Sequence, residues 1–128
     1  MRPAGDLSPV AMVTGAGGTL GAAVASALAE RGCAVGLVSH RTAGSAHMLA
    51  SSLPTPSVVV SADVSDLLGV ERATQEVTDA LGPIGVLVTC AAVRQDGLLM
   101  AQDAGAWTRT ISVNLLGTYH ACRAVLPG

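Results

Sequence analysis

Residues 10–21 read Val-Ala-Met-Val-Thr-Gly-Ala-Gly-Gly-Thr-Leu-Gly. The apolar beginning predicts a short buried strand, Val10–Thr14, which the glycines terminate. Apolar residues at helical spacing follow, and they predict a helix over residues 19–31 that ends at a left-handed Gly32. A glycine-rich turn between a strand and a helix lets the backbone approach a pyrophosphate, which the free N–H groups and the helix dipole then hold. The alternative is a tight turn that binds nothing. A phosphate loop of the Walker type is excluded because no Lys follows the glycines.

The remainder of the chain repeats this alternation of strand and helix. Further strands are predicted over residues 34–39, 58–60 and 84–89, and further helices over residues 43–53, 66–81 and 107–126. The strands are continuous apolar runs, as in parallel sheets that helices cover on both faces. Right-handed crossovers then predict an α/β fold with a doubly wound parallel sheet of strand order 3-2-1-4. We expect residues 9–128 to form a dinucleotide-binding unit after a flexible tail at residues 1–8.

The composition excludes several other classes of protein. The chain has 128 residues, of which 50% are hydrophobic and 12% are charged, so we expect a folded core rather than disorder. Its net charge of −2 argues against nucleic-acid and membrane partners. One Trp, one Tyr and no Phe offer no stacking platform for single-stranded nucleic acid. No apolar run reaches the roughly 20 residues of a membrane span, and the first residues do not resemble a secretory signal.

The three cysteines indicate the compartment. Cys33, Cys90 and Cys122 are odd in number and widely spaced, so we interpret them as small buried residues rather than as disulfides or metal ligands. Such usage is typical of a reducing compartment. We therefore expect a cytoplasmic protein, or one of an organelle matrix such as the mitochondrial matrix, with no metal site.

The glycine segment resembles the cofactor signature of the short-chain dehydrogenases/reductases, Thr-Gly-x-x-x-Gly-x-Gly after the first strand. Thr14, Gly15 and Gly21 match this signature, and Thr19 stands where the family has its middle glycine. The resemblance implies a Rossmann-like fold and a nicotinamide dinucleotide cofactor. It also implies that the pyrophosphate is held by the loop residues Gly15, Gly17, Gly18, Thr19, Leu20 and Gly21.

Further elements of the family follow in its order. Asp63-Val64, after the third strand, resembles the pair that contacts the adenine ring. The alternative is that Asp63 is a helix cap or a loop carboxylate, although Asp66 is better placed to cap the next helix. The segment after the fourth strand keeps Ala91 of the family's Asn-Asn-Ala-Gly, and the resemblance implies that Ala91-Ala92 lie behind the ribose.

The last predicted helix carries the one candidate catalytic residue. Asn114 is similar to the family's helix asparagine, which supports the proton relay by holding a water beside the catalytic Lys. Residues 94–100 resemble the corresponding loop of 3-oxoacyl-carrier-protein reductases and their carbonyl-reductase relatives. The resemblance therefore implies a small-molecule carbonyl substrate, a 3-oxoacyl thioester or a similar compound.

The end of the second strand predicts the cofactor. Ser39-His40-Arg41 contains no carboxylate, which an NAD enzyme would use to bind the ribose 2′-hydroxyl. Arg41 can form a planar, charged fork to a 2′-phosphate and Ser39 can donate one hydrogen bond, so NADP(H) is favoured over NAD(H). The alternative is that Arg41 is a solvated loop charge.

The family's catalytic Ser and Tyr-x-x-x-Lys are missing. All seven basic residues are Arg, so no Lys is available, and Tyr119 and Arg123 lie in the wrong element to replace the pair. The resemblance spans residues 9–127, about the first half of a family member, and stops before the fifth strand. We expect the cofactor-binding part of an NADP(H)-dependent carbonyl reductase, inactive by itself and homo-oligomeric at full length. The alternative is a non-catalytic NADP(H)-binding or regulatory protein, or an inactive subunit.

Overall fold

The fold is seen in a computed structural model, which describes residues 8–127. Its strands are β1 (Val10–Thr14), β2 (Ala34–Ser39), β3 (Ser57–Ser61) and β4 (Ile84–Thr89). Its α-helices are α1 (Thr19–Glu30), α2 (Ala43–Ser52), α3 (Leu67–Leu81), α4 (Ala104–Ile111) and α5 (Gly117–Val125). A 3₁₀ turn (Leu99–Ala101) precedes α4, and a π-helical turn (Ser112–Leu116) joins α4 to α5. The tail predicted for residues 1–8 lies, apart from Ser8, outside the described residues.

The four strands form one parallel sheet in the order β3-β2-β1-β4, which confirms the predicted topology. The chain moves outward from β1 to β2 and β3, and then returns across β1 to β4. The helix that follows β1 and the helix that precedes β4 therefore lie on opposite faces of the sheet. In such sheets the crevice at the carboxyl ends of those two strands is where ligands bind.

Helices cover both faces of the sheet. On one face, small residues of α1 let it lie close to the strands, where Ala25 and Ala29 pack with Val13 and Leu37. On the other face, Val77 of α3 packs with core residues of β1 and β2, and the hydrophobic end of α5 lies beside them. The strands β1 and β2 are buried along their whole length, which explains their continuous apolar sequences.

The ends of the first three helices agree closely with the sequence pattern. Helix α1 ends one residue before the predicted limit, and Gly32 follows with a φ of +93°, the left-handed conformation that was expected. Asp66 occupies the N-cap position of α3, but its side chain makes no capping hydrogen bond. Asp66 therefore stands at the N-cap position, but its carboxylate does not bond the free N–H groups of the helix.

The last predicted helix differs most from the structure. It begins at Ala104 rather than at 107, because Asp103 caps it by accepting a hydrogen bond from the N–H of Ala106 at 2.7 Å. It is also interrupted by the π-helical turn, which the apolar spacing did not predict. Among the cysteines, Cys33 is buried as expected, whereas Cys122 on α5 is exposed.

Within residues 8–127, none of the helices has the length and apolar character needed to cross a membrane.

Candidate cofactor-binding site

A pocket of about 360 Å³ opens at the carboxyl ends of the strands. It lies just beyond the ends of β1 and β4, which is where the topology predicts that a ligand binds. Eight of its lining residues were predicted from the sequence: Gly15, Gly18, His40, Arg41, Asp63, Val64, Ala91 and Ala92. The other eight were not predicted: Val38, Thr42, Ala62, Cys90, Val93, Gln95, Arg109 and Val113.

The glycine loop forms one side of the pocket, and its glycines are required by close approaches of the backbone. Gly15 has a φ of +69°, and a Cβ there would lie 2.6 Å from the backbone nitrogen of Ala91. A Cβ on Gly17 would overlap the side chain of Thr42. Gly18, which has no side chain, is the N-cap of α1, so the first-turn N–H groups of this described helix receive no side-chain cap. These N–H groups are available to an anion.

Thr14, at the end of β1, forms hydrogen bonds with the segment that follows β4. Its Oγ1 accepts hydrogen bonds from the N–H groups of Cys90 at 3.2 Å and Ala91 at 3.3 Å. Its carbonyl oxygen also accepts from the N–H of Cys90, at 3.1 Å. The segment after β4 is thereby held against the glycine loop, which fixes the width of the crevice between them.

Four of the predicted loop residues lie outside the pocket lining. Gly17, Thr19, Leu20 and Gly21 do not line the pocket. A Cβ on Gly21 would collide with the carbonyl group of Gly15, so Gly21 acts by letting α1 approach the loop. Thr19 and Leu20 are exposed at the start of α1, and their contacts with a cofactor stay predictions.

The end of β2 places its three candidates differently. His40 and Arg41 are exposed and line the pocket, as a 2′-phosphate site requires. Ser39 is buried and does not line the pocket, and its Oγ has no hydrogen-bond partner among the described residues. It follows Val35 and Leu37 in the alternation of the strand and therefore shares the face covered by α1 and α2. A bond from Ser39 to a phosphate stays a prediction that would need a rotation of this segment.

Asp63 is the most constrained charged group of the pocket. Its Oδ1 accepts hydrogen bonds from the N–H of Ser65 at 3.0 Å and the hydroxyl of Ser65 at 2.7 Å, and its Oδ2 accepts from Nη1 of Arg109 at 3.1 Å. Partial burial opposes the charge, but these bonds outweigh it and lower the pKa of Asp63 from 3.8 to about 2. His40 Nδ1 lies 3.8 Å from the same Oδ2. The carboxylate is ionised at neutral pH.

Asn114 lies in the π-helical turn and does not line the pocket. Its Oδ1 accepts from the N–H of Val93 at 2.8 Å, and its Nδ2 donates to the carbonyl oxygen of Val93 at 2.9 Å. Asn114 thus fixes a pocket-lining segment through both of its backbone groups. Its expected catalytic role is not tested by these contacts and stays a prediction.

Tyr119 and Arg123 lie outside the pocket, as expected. Arg123 Nη1 donates to the hydroxyl of Tyr119 at 3.0 Å, and both side chains are exposed on α5. His120 follows Tyr119 on α5, and its Nδ1 lies 2.7 Å from the carbonyl oxygen of Val64.

Two pocket-lining residues with chemically active side chains were not predicted as site residues. Arg109 reaches Asp63 across 46 positions of sequence, and no pattern in the sequence indicated the contact. Cys90 was interpreted as a core residue. It does pack against the core cluster of β1, β2 and α1, but it also lines the pocket, and burial raises the pKa of its thiol. Its position directly after a buried strand, next to Ala91, was the available signal.

The pocket fits a nicotinamide dinucleotide on the evidence of its own geometry. Gly15 and Gly18 line the pocket without side chains next to the uncapped N–H groups at the start of α1, which suits a pyrophosphate. His40 and Arg41 stand at one margin, and the ionised Asp63 offers an acceptor to a base.

Comparison with known proteins agrees with this geometry. The family model of the short chain dehydrogenases matches residues 9–128. The chain belongs to the short-chain dehydrogenase family. It is 37% identical over 130 residues to glycine betaine reductase ATRR of Emericella nidulans, covering 98% of this chain and 10% of that protein. It is 32% identical to the 3-oxoacyl-[acyl-carrier-protein] reductase FabG of Vibrio harveyi, covering 93% of this chain and 48% of that protein.

A solved short-chain dehydrogenase shows the same fold. The structure from Burkholderia cenocepacia in complex with NADP superimposes with a TM-score of 0.89 at 27% identity, covering 94% of this chain and 50% of the other. The chain spans about half the length of the Vibrio harveyi and Burkholderia cenocepacia proteins and a tenth of the Emericella nidulans protein. The chain is thus an oxidoreductase-family Rossmann unit that spans half of a typical short-chain dehydrogenase.

Proposed function

We propose that this chain is the NADP(H)-binding part of a short-chain reductase that acts on a small carbonyl compound. The observation that carries the proposal is the pocket at the β1–β4 crevice, where the glycine loop and the uncapped start of α1 face the residues after β4. The nicotinamide supplies the hydride that reduces a carbonyl carbon when the cofactor is bound. The residues of this chain bind and orient that cofactor.

Each part of the dinucleotide has residues that suit it. The uncapped N–H groups in the first turn of α1 suit the pyrophosphate, and Gly15 and Gly18, which carry no side chains, leave room for it. His40 and Arg41 attract the 2′-phosphate, and their exposure leaves them free to reach it. Asp63 and Val64 bind the adenine, and Ala91 and Ala92, which carry the smallest side chains, leave room for a ribose.

The preference for NADP(H) over NAD(H) is supported by charge. The end of β2 carries His40 and Arg41 and no carboxylate of its own, and the nearby Asp63, 3.8 Å from His40, is paired with Arg109. The NADP complex of the Burkholderia cenocepacia protein supports the same proposal. The similarity to the FabG protein supports a 3-oxoacyl thioester as the substrate class.

The experiment is a calorimetric titration of the 128-residue chain with NADPH and NADH. We expect NADPH to bind more tightly, and we expect Arg41→Met to weaken NADPH by about tenfold while leaving NADH nearly unchanged. Arg31→Met serves as the control, because Arg31 is an exposed Arg at the opposite end of α1. Equal effects of Arg41→Met on both nucleotides would contradict the cofactor preference, and failure of the wild type to bind either would contradict the proposed function.

Binding without turnover is the second part of the proposal. The 128 residues contain no Lys, so the Tyr–Lys pair that the family uses for proton transfer cannot form within them. We expect no NADPH oxidation when the purified chain is mixed with a 3-oxoacyl thioester. Measurable NADPH-dependent reduction by this chain would overturn that expectation.

A further inference from the structure

The turn after β3 carries the two predicted base-binding residues, and contacts from the α4–α5 region hold it. Val64 is fixed through its backbone, since its carbonyl oxygen lies 2.7 Å from Nδ1 of His120. Its side chain packs against Gly117, where a Cβ would lie 2.6 Å from Val64 Cγ2. The backbone of this turn therefore has little freedom, and the orientation of the Asp63 carboxylate depends on its own partners.

Those partners use most of the acceptor capacity of the carboxylate. An ionised carboxylate has about four acceptor positions, two on each oxygen. Ser65 uses both positions of Oδ1 through its N–H and its hydroxyl, and Arg109 uses one position of Oδ2. His40 Nδ1, at 3.8 Å, is too distant for a hydrogen bond. One position of Oδ2 is left for a ligand.

We propose that Arg109 is a positioning residue that sets this last acceptor of Asp63 and thereby makes the pocket select a base with an amino group. The inference rests on the proposed function and deepens it. Arg109 is half-buried on α4 and lines the same pocket, and its Nη1 also lies 3.4 Å from the hydroxyl of Ser65. Ionised Asp63 can only accept a hydrogen bond at the free position of Oδ2, and the bond from Arg109 to the same oxygen fixes the direction in which that position points. Adenine offers a donor in its 6-amino group, whereas hypoxanthine offers a carbonyl oxygen there and is repelled.

The test measures the ratio of two affinities, which an equal weakening of both nucleotides would leave unchanged. Calorimetry compares NADPH with the analogue that has hypoxanthine in place of adenine, on the wild-type chain and on Arg109→Met. We expect the wild type to prefer NADPH by about tenfold. We expect Arg109→Met to reduce this ratio by about threefold or more, because Oδ2 loses the hydrogen bond that orients it.

Two further variants complete the test. One is a control at a distant Arg, and the other keeps the positive charge at position 109. Arg72→Met removes a helical Arg that lies 4.0 Å from Glu76 on the exposed side of α3, and it should leave the ratio unchanged. Arg109→Lys keeps the positive charge and should retain part of the selectivity, and it decides the question if Arg109→Met fails to fold. An unchanged ratio in the Arg109 variants, with NADPH bound by the wild type, would overturn this inference alone. Absence of NADPH binding by the wild type would overturn the proposed function together with it.

Discussion

At the scale of single residues, Asp63 links the stability of the chain to its site. The carboxylate is 27% exposed and accepts hydrogen bonds from Ser65 and Arg109. Removing it leaves Arg109, which is one-third exposed, without its carboxylate partner. Because the pKa falls from 3.8 to about 2 on folding, ionised Asp63 stabilises the folded state.

We expect Asp63→Asn to lower the free energy of unfolding at pH 7 by about 1 kcal/mol, after allowance for solvent screening of this partly exposed group. The contribution is fully present above pH 3.8 and is lost as the pH falls through about 2. Urea denaturation of both proteins at pH 7 and at about pH 3 measures the difference. Asp66→Asn is a matched control, since the Asp66 side chain makes no capping bond. A gap between wild type and Asp63→Asn that stays constant with pH would contradict this account.

At the scale of elements, two helical glycines differ in what surrounds them: one lies against backbone and the other faces open space. Gly21 in α1 and Gly44 in α2 are both helical, so either gains helix propensity when it becomes Ala. A Cβ on Gly21 would lie 2.7 Å from the carbonyl carbon of Gly15, whereas a Cβ on Gly44 would meet nothing within 4 Å. The contact of α1 with the glycine loop therefore depends on the absence of a side chain at Gly21.

We expect Gly21→Ala to destabilise the chain by about 1–3 kcal/mol through overpacking and to weaken NADPH binding by moving the loop. Gly44→Ala should instead stabilise it by about 0.5–1 kcal/mol. Thermal unfolding and calorimetry of the two variants check this. Equal effects of the two substitutions would show that α1 does not approach the loop as described.

The elements also show what could be predicted from sequence. The strands were predictable because continuous apolar runs bounded by Gly and Pro leave few other interpretations. The π-helical turn was not, because residues 112–116 have the composition of an ordinary helix and only the bond from Asn114 to Val93 distinguishes them. The Arg109–Asp63 contact was equally hidden, since it depends on tertiary geometry and carries no local signal.

For the pocket, topology predicted more than residue chemistry did. Residues at the carboxyl ends of β1 and β4 had to meet once the strand order was known, and they do. Ser39 is different. Its polar side chain suggested a phosphate ligand, whereas the alternation of β2 directs it to the opposite face from Val38.

At the scale of the whole molecule, an apolar surface crosses α4 and α5. It is formed by Trp107, Ile111, Leu115 and Tyr119, which recur every four residues and are 45–63% exposed. Strand β4 is the neighbouring edge of the sheet among the described residues. Contiguous apolar surfaces and uncovered edges favour association with other chains.

We expect the 128-residue chain to self-associate at micromolar concentration. The double variant Ile111→Gln/Leu115→Gln should shift it toward the monomer. Size-exclusion chromatography with light scattering measures the change. Met48→Gln, at an exposed hydrophobic position of α2, is the control and should have no effect. A wild-type chain that elutes as a monomer would refute the expectation.

Chemical labelling of the Cys90 thiol offers a measure of whether a nucleotide occupies the pocket. Cys90 lines the pocket and its backbone is anchored to Thr14, so we expect a bound nucleotide to slow the reaction of its thiol with alkylating reagents. Because burial raises the pKa of Cys90, the exposed Cys122 reacts first and is best replaced by Ser beforehand. Mass spectrometry of the labelled chain could then report cofactor loading peptide by peptide, without any dependence on nicotinamide fluorescence.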